Sequence, residues 1–242
     1  MPPGDASTTI TAPLNKSSAA QNRRYRGLLH HRVCLLPTWR GWALLLLLTV
    51  LFTIGVGRQL CAFLTVNDPP LGGVLVVEGW VPSYATKEAV EVFRRNQYVG
   101  IYATGEPTGD DTPYIGYASF ADLTEARLLE AGAAPETVHT VPAPFVGKDR
   151  TYTMASALKK RLEADGVSTA KITVISVGPH SRRSRLLYQF AFGPNSQVGM
   201  IAVTDHEFDP DHWWRSSNGV RSVISEAIAY CYARFLFRPP AE

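Results

Sequence analysis

One histidine and three arginines stand where a predicted strand passes into a predicted helix. The segment reads VGPHSRRSRLL and directly follows KITVIS, a run of β-forming residues. The helical period places Arg183 on the inward, apolar face of this helix, whereas Arg182 and Arg185 share an outward face and should be solvated. A cation in the first helical turn opposes the helix dipole unless an anion or a carboxylate meets it. Arg183, with His180 one turn before it, is therefore a candidate anion-binding residue.

The ends of the other predicted strands carry further candidate residues, because ligands of an open parallel sheet bind outside the carboxyl ends of its strands. These residues should collect at one edge together with His180. Glu78 and His180 form the one pair suited to proton transfer, which makes them the candidate catalytic residues. The candidate ligand-binding residues are Trp80, Thr104, Gly105, Arg150, Thr151 and Arg183.

Two interpretations of Glu78 stay open at this point. The carboxylate has a catalytic or ligand-binding role, or it forms a structural ion pair with Arg150 or Arg183.

Asp149 is predicted to cap the helix that follows it. The sequence contains neither the G-x-G-x-x-G turn of dinucleotide-binding folds nor the G-x-S-x-G turn of serine hydrolases. The acidic and histidine-rich residues 205–212 match no known spacing of metal ligands, so no metal site is predicted.

The elements that position these residues alternate regularly between strands and helices. Five apolar, β-rich runs are each followed by a segment of helical period, over residues 74–238. This alternation is typical of a sheet with helices on both faces. The sequence therefore predicts an α/β domain, a Rossmann-like three-layer sandwich with a mostly parallel five-stranded sheet.

A long apolar run precedes the domain and predicts one N-terminal transmembrane helix. Residues 41–57, GWALLLLLTVLFTIGVG, are uncharged, and with snorkelling of Arg58 the segment 39–66 can cross a bilayer core of roughly 30 Å. A cleaved signal peptide is the alternative, but its apolar region is shorter and ends in small residues. We expect a disordered basic tail over residues 1–38 and a short linker over residues 67–73.

The distribution of charge predicts the orientation of this anchor. Residues 1–58 contain seven basic residues and one acidic residue, whereas residues 59–242 contain 17 basic and 20 acidic residues. The positive-inside rule then predicts a cytoplasmic N-terminus and an extracytoplasmic, periplasmic domain. Because the domain itself is slightly acidic, a nucleic-acid partner is not expected.

These features resemble the SanA/ElyC/YdcF-like family, also called domain of unknown function 218. The resemblance covers residues 72–237 and is strongest where a strand and a turn lead into the helix that begins near His180. His180 and Arg183 occupy the family's histidine and arginine places, with Pro179 in place of its tyrosine. Thr151 matches the threonine of the family's Asn-Thr pair.

The resemblance implies a membrane-anchored extracytoplasmic member with a role in cell-envelope biogenesis or integrity, through peptidoglycan or surface polysaccharide. It implies a phosphate-containing, lipid-linked ligand. If the protein is an enzyme, the pair of Glu78 and His180 predicts a phosphoric-ester or pyrophosphate hydrolase or transferase. Its partners would be the bacterial inner membrane and an envelope precursor. One relative is associated with S-adenosylmethionine, which an outward-facing domain could not reach, so no cofactor is expected. The alternative is a non-catalytic envelope scaffold whose charged sheet edge is a structural ion-pair network.

Overall fold

A computed structural model describes residues 36–70, 72–109 and 116–240. The predicted basic tail, residues 1–38, falls almost entirely outside the described residues. The chain divides into two units at Val50, inside its first helix, and the unit from Leu51 onward contains the whole sheet.

Strands and helices alternate through this second unit, as the sequence predicts. The helices are α1 (Trp39–Leu64), α2 (Ser83–Arg95), α3 (Phe120–Glu130), α4 (Arg150–Ala164), α5 (His180–Phe192) and α6 (Ser217–Cys231). The strands are β1 (Gly73–Glu78), β2 (Tyr98–Gly105), β3 (Val138–Pro142), β4 (Lys171–Val177) and β5 (Gln197–Val203). Shorter helical segments are the 3-10 turns Pro135–Thr137 and Pro210–Arg215 and the π-helical turn Tyr232–Leu236.

The five strands form one sheet in the order β3-β2-β1-β4-β5, and every strand pair is parallel. Side chains of β1 alternate between two apolar layers. Val74 and Val76 pack with residues of α4 and α5 on one face, and Leu75 and Val77 pack with residues of α2 and α3 on the other. The prediction of a Rossmann-like three-layer α/β sandwich is therefore confirmed.

The strand order reverses between β1 and β4, and this reversal determines where a crevice forms. The chain leaves β1 toward β2 on one side, whereas β4 extends the sheet on the other side. The connections after these two neighbouring strands therefore diverge and leave a gap at their carboxyl ends. Glu78 ends β1 beside Thr104 of β2, so its carboxylate lies at the floor of this gap.

The backbone at the end of β2 lies very close to the backbone at the start of α3. A Cβ atom added at Gly105 would collide with the backbone of Phe120 and Ala121, where α3 begins. Only glycine allows β2 and α3 to meet at this separation.

Helix α1 is long and apolar enough to cross a membrane. Its 26 residues correspond to a length of about 39 Å. The helix ends at Leu64, near the predicted boundary of the span, and Cys61 and Leu64 are buried beside Trp213 and Val223. The indole Nε1 of Trp213 donates a hydrogen bond to the carbonyl of Gly57 at 3.2 Å. The last two turns of α1 are therefore packed against the domain.

The end of α1 is also hydrogen-bonded to the first turn of α5. The backbone amide of Val66 donates to the Ser181 hydroxyl at 2.8 Å, and that hydroxyl lies 3.2 Å from the carbonyl of Leu64. Ser181 is fully buried. The end of α1 and the start of α5 therefore share one buried polar contact.

Candidate functional site

A cleft of about 540 Å³ lies at the carboxyl edge of the sheet, beside the reversal of strand order. Most of the predicted site residues line it, as expected for this class of sheet. Those that line the cleft are Trp80, Gly105, Arg150, Thr151, His180 and Arg183. Glu78 and Thr104 are fully buried and are not among its lining residues. The strand-end residues therefore come together, with two of them below the cleft surface.

Glu78 is held by neutral hydrogen-bond donors. The hydroxyl of Ser176 donates to Oε2 at 2.6 Å, and the hydroxyl of Ser184 donates to Oε1 at 2.7 Å. The indole Nε1 of Trp80 adds a bond to Oε2 at 3.2 Å. Of the two interpretations of Glu78, the ion pair with Arg150 or Arg183 is therefore wrong. A buried carboxyl group is satisfied here by hydroxyl and indole groups that reach it from β4, α5 and the turn after β1.

His180 lies above Glu78 in the first turn of α5. Its Nε2 is 3.8 Å from Glu78 Oε2, and this nitrogen is buried without a hydrogen-bond partner among the described residues. Its Nδ1 is 2.9 Å from Glu226 Oε1 and 2.9 Å from Arg183 Nη2. Nδ1 donates to the carboxylate when it carries the proton and accepts from the guanidinium when it does not. The ring of Trp80 meets the imidazole edge-on, with ring centres 4.6 Å apart.

Arg183 faces inward, and its carboxylate partner is Glu226 of α6 instead of Glu78. The guanidinium donates through Nε to Oε2 at 2.9 Å and through Nη2 to Oε1 at 3.2 Å, which is a bidentate contact. Burial raises the pKa of Glu226, but hydrogen bonds from His180 and Arg183 outweigh it and lower the pKa to about 2. These three side chains therefore form one charged network along the wall of the cleft.

Glu226 was missed by the sequence analysis because it stands in the middle of a helix, far from any strand end. A signal was present. Glu226 is the only charged residue in the segment SVISEAIAYCYA, residues 222–233. A single carboxylate in an otherwise apolar helix must meet a cation or several donors when the helix packs.

The other two arginines of α5 are partly exposed, but each has a partner, which the prediction of solvated side chains did not include. Arg182 donates to the carbonyl of Phe63, and its guanidinium lies 4.1 Å from the centre of that ring. Arg185 forms an ion pair with Asp68 at 2.7 Å. The outward face of α5 is partly covered by the end of α1 and by the linker, which a helical wheel does not reveal.

The N-terminus of α4 forms the opposite wall. Arg150 Nη1 lies 2.6 Å from Glu106 Oε1, while its side chain is 64% exposed. Asp149 adopts a left-handed conformation, with φ of 56°, and makes no capping hydrogen bond. Asp149 therefore occupies the predicted N-cap position, but the prediction that its side chain caps the helix is wrong. Thr151 is buried directly behind it.

Thr104 belongs to the core beneath the cleft. Its hydroxyl lies 3.4 Å from the hydroxyl of Tyr188, and both side chains are fully buried. Burial, followed by the charge of Glu78, raises the pKa of Tyr188 well above its usual value of 10.0. The structure therefore places Thr104 below the surface that a ligand would touch.

Comparison with known proteins adds no assignment to this geometry. The chain matches no protein-family model, and it has no significant match among curated proteins. Within the described parts of the chain, no group of three histidine, cysteine or acidic side chains is arranged to hold a metal ion. The functional proposal therefore depends on the cleft and on the sequence motifs.

Proposed function

We propose that this chain is a membrane-anchored extracytoplasmic domain of the SanA/ElyC/YdcF type that binds a phosphate-containing, lipid-linked ligand in the cleft, in support of cell-envelope biogenesis or integrity. One observation carries the proposal. Helices α4 and α5 both begin at this cleft, and neither has a side-chain cap or an acidic residue in its first turn. Two uncapped helix N-termini that face one cleft favour an anion.

The two arginines would contribute differently to holding the anion. Arg183 is held in the wall by the ionised Glu226, whereas the exposed Arg150 can turn from Glu106 to a bound phosphate. Guanidinium groups match phosphate oxygens in a bidentate geometry. The first-turn amides of α4 and α5 would bind the remaining oxygens.

If the bound ligand is also a substrate, the proposed activity is that of a phosphoric-ester hydrolase or transferase. His180 then transfers the proton. Glu226 lines the cleft beside His180 Nδ1, whereas Glu78 lies buried beneath the ring. Glu226 is then the carboxylate that acts with the histidine on the cleft side. Glu78 becomes a positioning residue, which holds the turn after β1 through Trp80 and the start of α5 through Ser184.

The proposed ligand is tested by thermal unfolding of the full chain in detergent micelles. The probes are inorganic phosphate, pyrophosphate and undecaprenyl phosphate. A ligand at 100 times its dissociation constant stabilises the protein by about 2.7 kcal/mol. Arg150→Gln should lose most of this stabilisation. Arg161→Gln is the matched control, because Arg161 lies on the same helix and is exposed outside the cleft. An unchanged unfolding temperature with all three probes would contradict the proposal.

The proposed orientation is tested separately. The length of α1 and the basic residues before it support a cytoplasmic N-terminus and a domain outside the bacterial inner membrane. An alkaline phosphatase fused after Glu242 should be active in intact cells, because that enzyme folds only outside the cytoplasm. An inactive fusion, expressed at the same level, would exclude a periplasmic domain.

A non-catalytic envelope scaffold is the second candidate, and one observation favours it. Both arginines of the cleft already have carboxylate partners, Glu106 and Glu226, as a structural ion-pair network requires. In that case none of the three probes stabilises the natural protein. Arg183→Gln then lowers the unfolding temperature, and no probe stabilises this variant either. A ligand response that Arg150→Gln removes would decide against the scaffold.

A further inference from the structure

A second cleft, of about 510 Å³, lies where α1 joins the domain. One wall is formed by the last turns of α1, from Arg58 to the residue after its end, and the other by the 3-10 turn Pro210–Arg215. It shares no lining residue with the cleft at the sheet edge. The two clefts are therefore separate sites on the same unit.

The second wall is firmly attached to α1. The buried Trp213 bonds to the carbonyl of Gly57 and holds the 3-10 turn against the helix. Trp214, the next residue, remains partly exposed and lines the cleft. The guanidinium of Arg58 lies 5.7 Å from the centre of the Trp214 ring, within the range of a cation-π contact. An aromatic ring and a cation therefore stand side by side in a fixed arrangement.

The residues that line the cleft include more cationic than anionic side chains. Arg58 and Arg215 are exposed, and neither has an ion pair within residues 36–70, 72–109 and 116–240. Asp211 is the one acidic residue among the lining residues described. His212 also lines the cleft, and its Nδ1 is 2.7 Å from Asp209 Oδ2. Two guanidinium groups against one carboxylate favour an anionic ligand.

The position of this cleft along α1 indicates the source of the anion. Arg58 is the first charged residue after the uncharged residues 41–57, so it stands where the apolar run ends. Leu51 and Ile54 lie seven and four residues before it, on the same helical face, and are about half exposed. Gly55 leaves open space beside them. An acyl chain can therefore lie along this face while its phosphate reaches Arg58.

We infer that this cleft binds the headgroup of an anionic phospholipid. Arg58 and Arg215 contact the phosphate, and Trp214 lies at the level of the headgroups, where tryptophan side chains collect in membrane proteins. The acyl chains follow the exposed face of α1. Because the 3-10 turn is attached to α1 through Trp213, the bound lipid sets the depth of the domain at the membrane surface.

Native mass spectrometry of the full chain in detergent micelles tests this inference. The probes are dioleoylphosphatidylglycerol, dioleoylglycerol, which lacks the phosphate, and inorganic phosphate. Phosphatidylglycerol should remain bound to the natural protein. In the double variant Arg58→Gln/Arg215→Gln the affinity for this lipid should fall about tenfold to thirtyfold, because each basic residue near an anionic headgroup strengthens the binding. Arg221→Gln, exposed on α6 outside the cleft, is the control and should stay within about twofold. The basic residues before α1 are common to all variants.

The outcomes separate the sources of the anion. Equal retention of both lipids, or an unchanged affinity in the double variant, overturns the inference. Inorganic phosphate that binds alone and displaces the lipid at equal concentration overturns the assignment to a phospholipid. Arg215→Gln alone leaves α1 unaltered and should still lower the affinity severalfold, so a folding defect of the double variant does not leave the inference untested.

Discussion

Replacement of Glu226 by glutamine tests the charged network that connects α6 to the start of α5. The substitution keeps the size of the side chain and one acceptor oxygen but removes the charge that Arg183 and His180 meet. Arg183, whose side chain is only 20% exposed, is then left without its carboxylate. Removal of one partner from a mostly buried ion pair costs more than the pair itself contributes. We therefore expect a clear loss of stability.

The magnitude follows from the pKa of Glu226. A lowering from its usual 4.5 to about 2 corresponds to roughly 3 kcal/mol of folding free energy at neutral pH. Because the folded pKa is depressed, this contribution is complete above the unfolded value of 4.5 and disappears as the pH falls through about 2. For a chain of this size, the corresponding decrease in unfolding temperature is about 6 to 12 °C.

Urea unfolding of the full chain in mild detergent, followed by tryptophan fluorescence, measures this difference. At neutral pH, Glu226→Gln should unfold at a lower urea concentration than the natural protein. The difference in stability between the two proteins should decrease below about pH 4 and disappear near about pH 2. Glu163→Gln is the control, because Glu163 is exposed on α4 and its replacement should change the free energy by less than about 0.5 kcal/mol. Equal stability at neutral pH, or a gap that persists through acid, would refute the assigned network.

Two further substitutions test the packing beneath the cleft. Gly105→Ala should cost about 1 to 3 kcal/mol in thermal unfolding, because the new methyl group meets the backbone at Ala121, whereas Gly147→Ala has open space and should be neutral. If both variants unfold at the same temperature, β2 and α3 are not packed this closely. Because the pKa of Tyr188 is raised in the folded state, its contribution to stability is present below about pH 10 and is lost as the pH rises above it. Tyr188→Phe should therefore lose less stability than the natural protein between neutral and strongly alkaline pH, and identical losses would contradict the burial of the hydroxyl.

The fold and the location of the cleft were predictable because both depend on local patterns. The apolar runs and helical periods are each readable within a dozen residues, and the strand-end rule converts them into one sheet edge. His180, Arg150 and Trp80 come together for this reason. The left-handed conformation of Asp149 was not predictable, since aspartate is also a common cap residue and the sequence favours that simpler role.

The contacts within the cleft depend on which helices face each other. No local sequence pattern reveals that pairing. A helical wheel places Arg183 inward but does not show that α6, more than forty residues later, supplies Glu226. For Glu78 the alternative of an ion pair with an arginine was wrong, because hydroxyl groups can satisfy a buried carboxyl group equally well. Ser176 and Ser184 carry no charge and form no recognisable motif, so their role is visible only in three dimensions.

The buried hydroxyl of Ser181 has a mechanical consequence. It joins Val66, just after α1, to the first turn of α5, the turn that also carries His180. A flexible connection would let the domain rotate independently of the end of α1. Here the end of α1 is instead joined to the start of α5 through the Ser181 hydroxyl and to the 3-10 turn through Trp213. A change in the tilt of that end of α1 would therefore be transmitted to His180 through a single buried hydroxyl group.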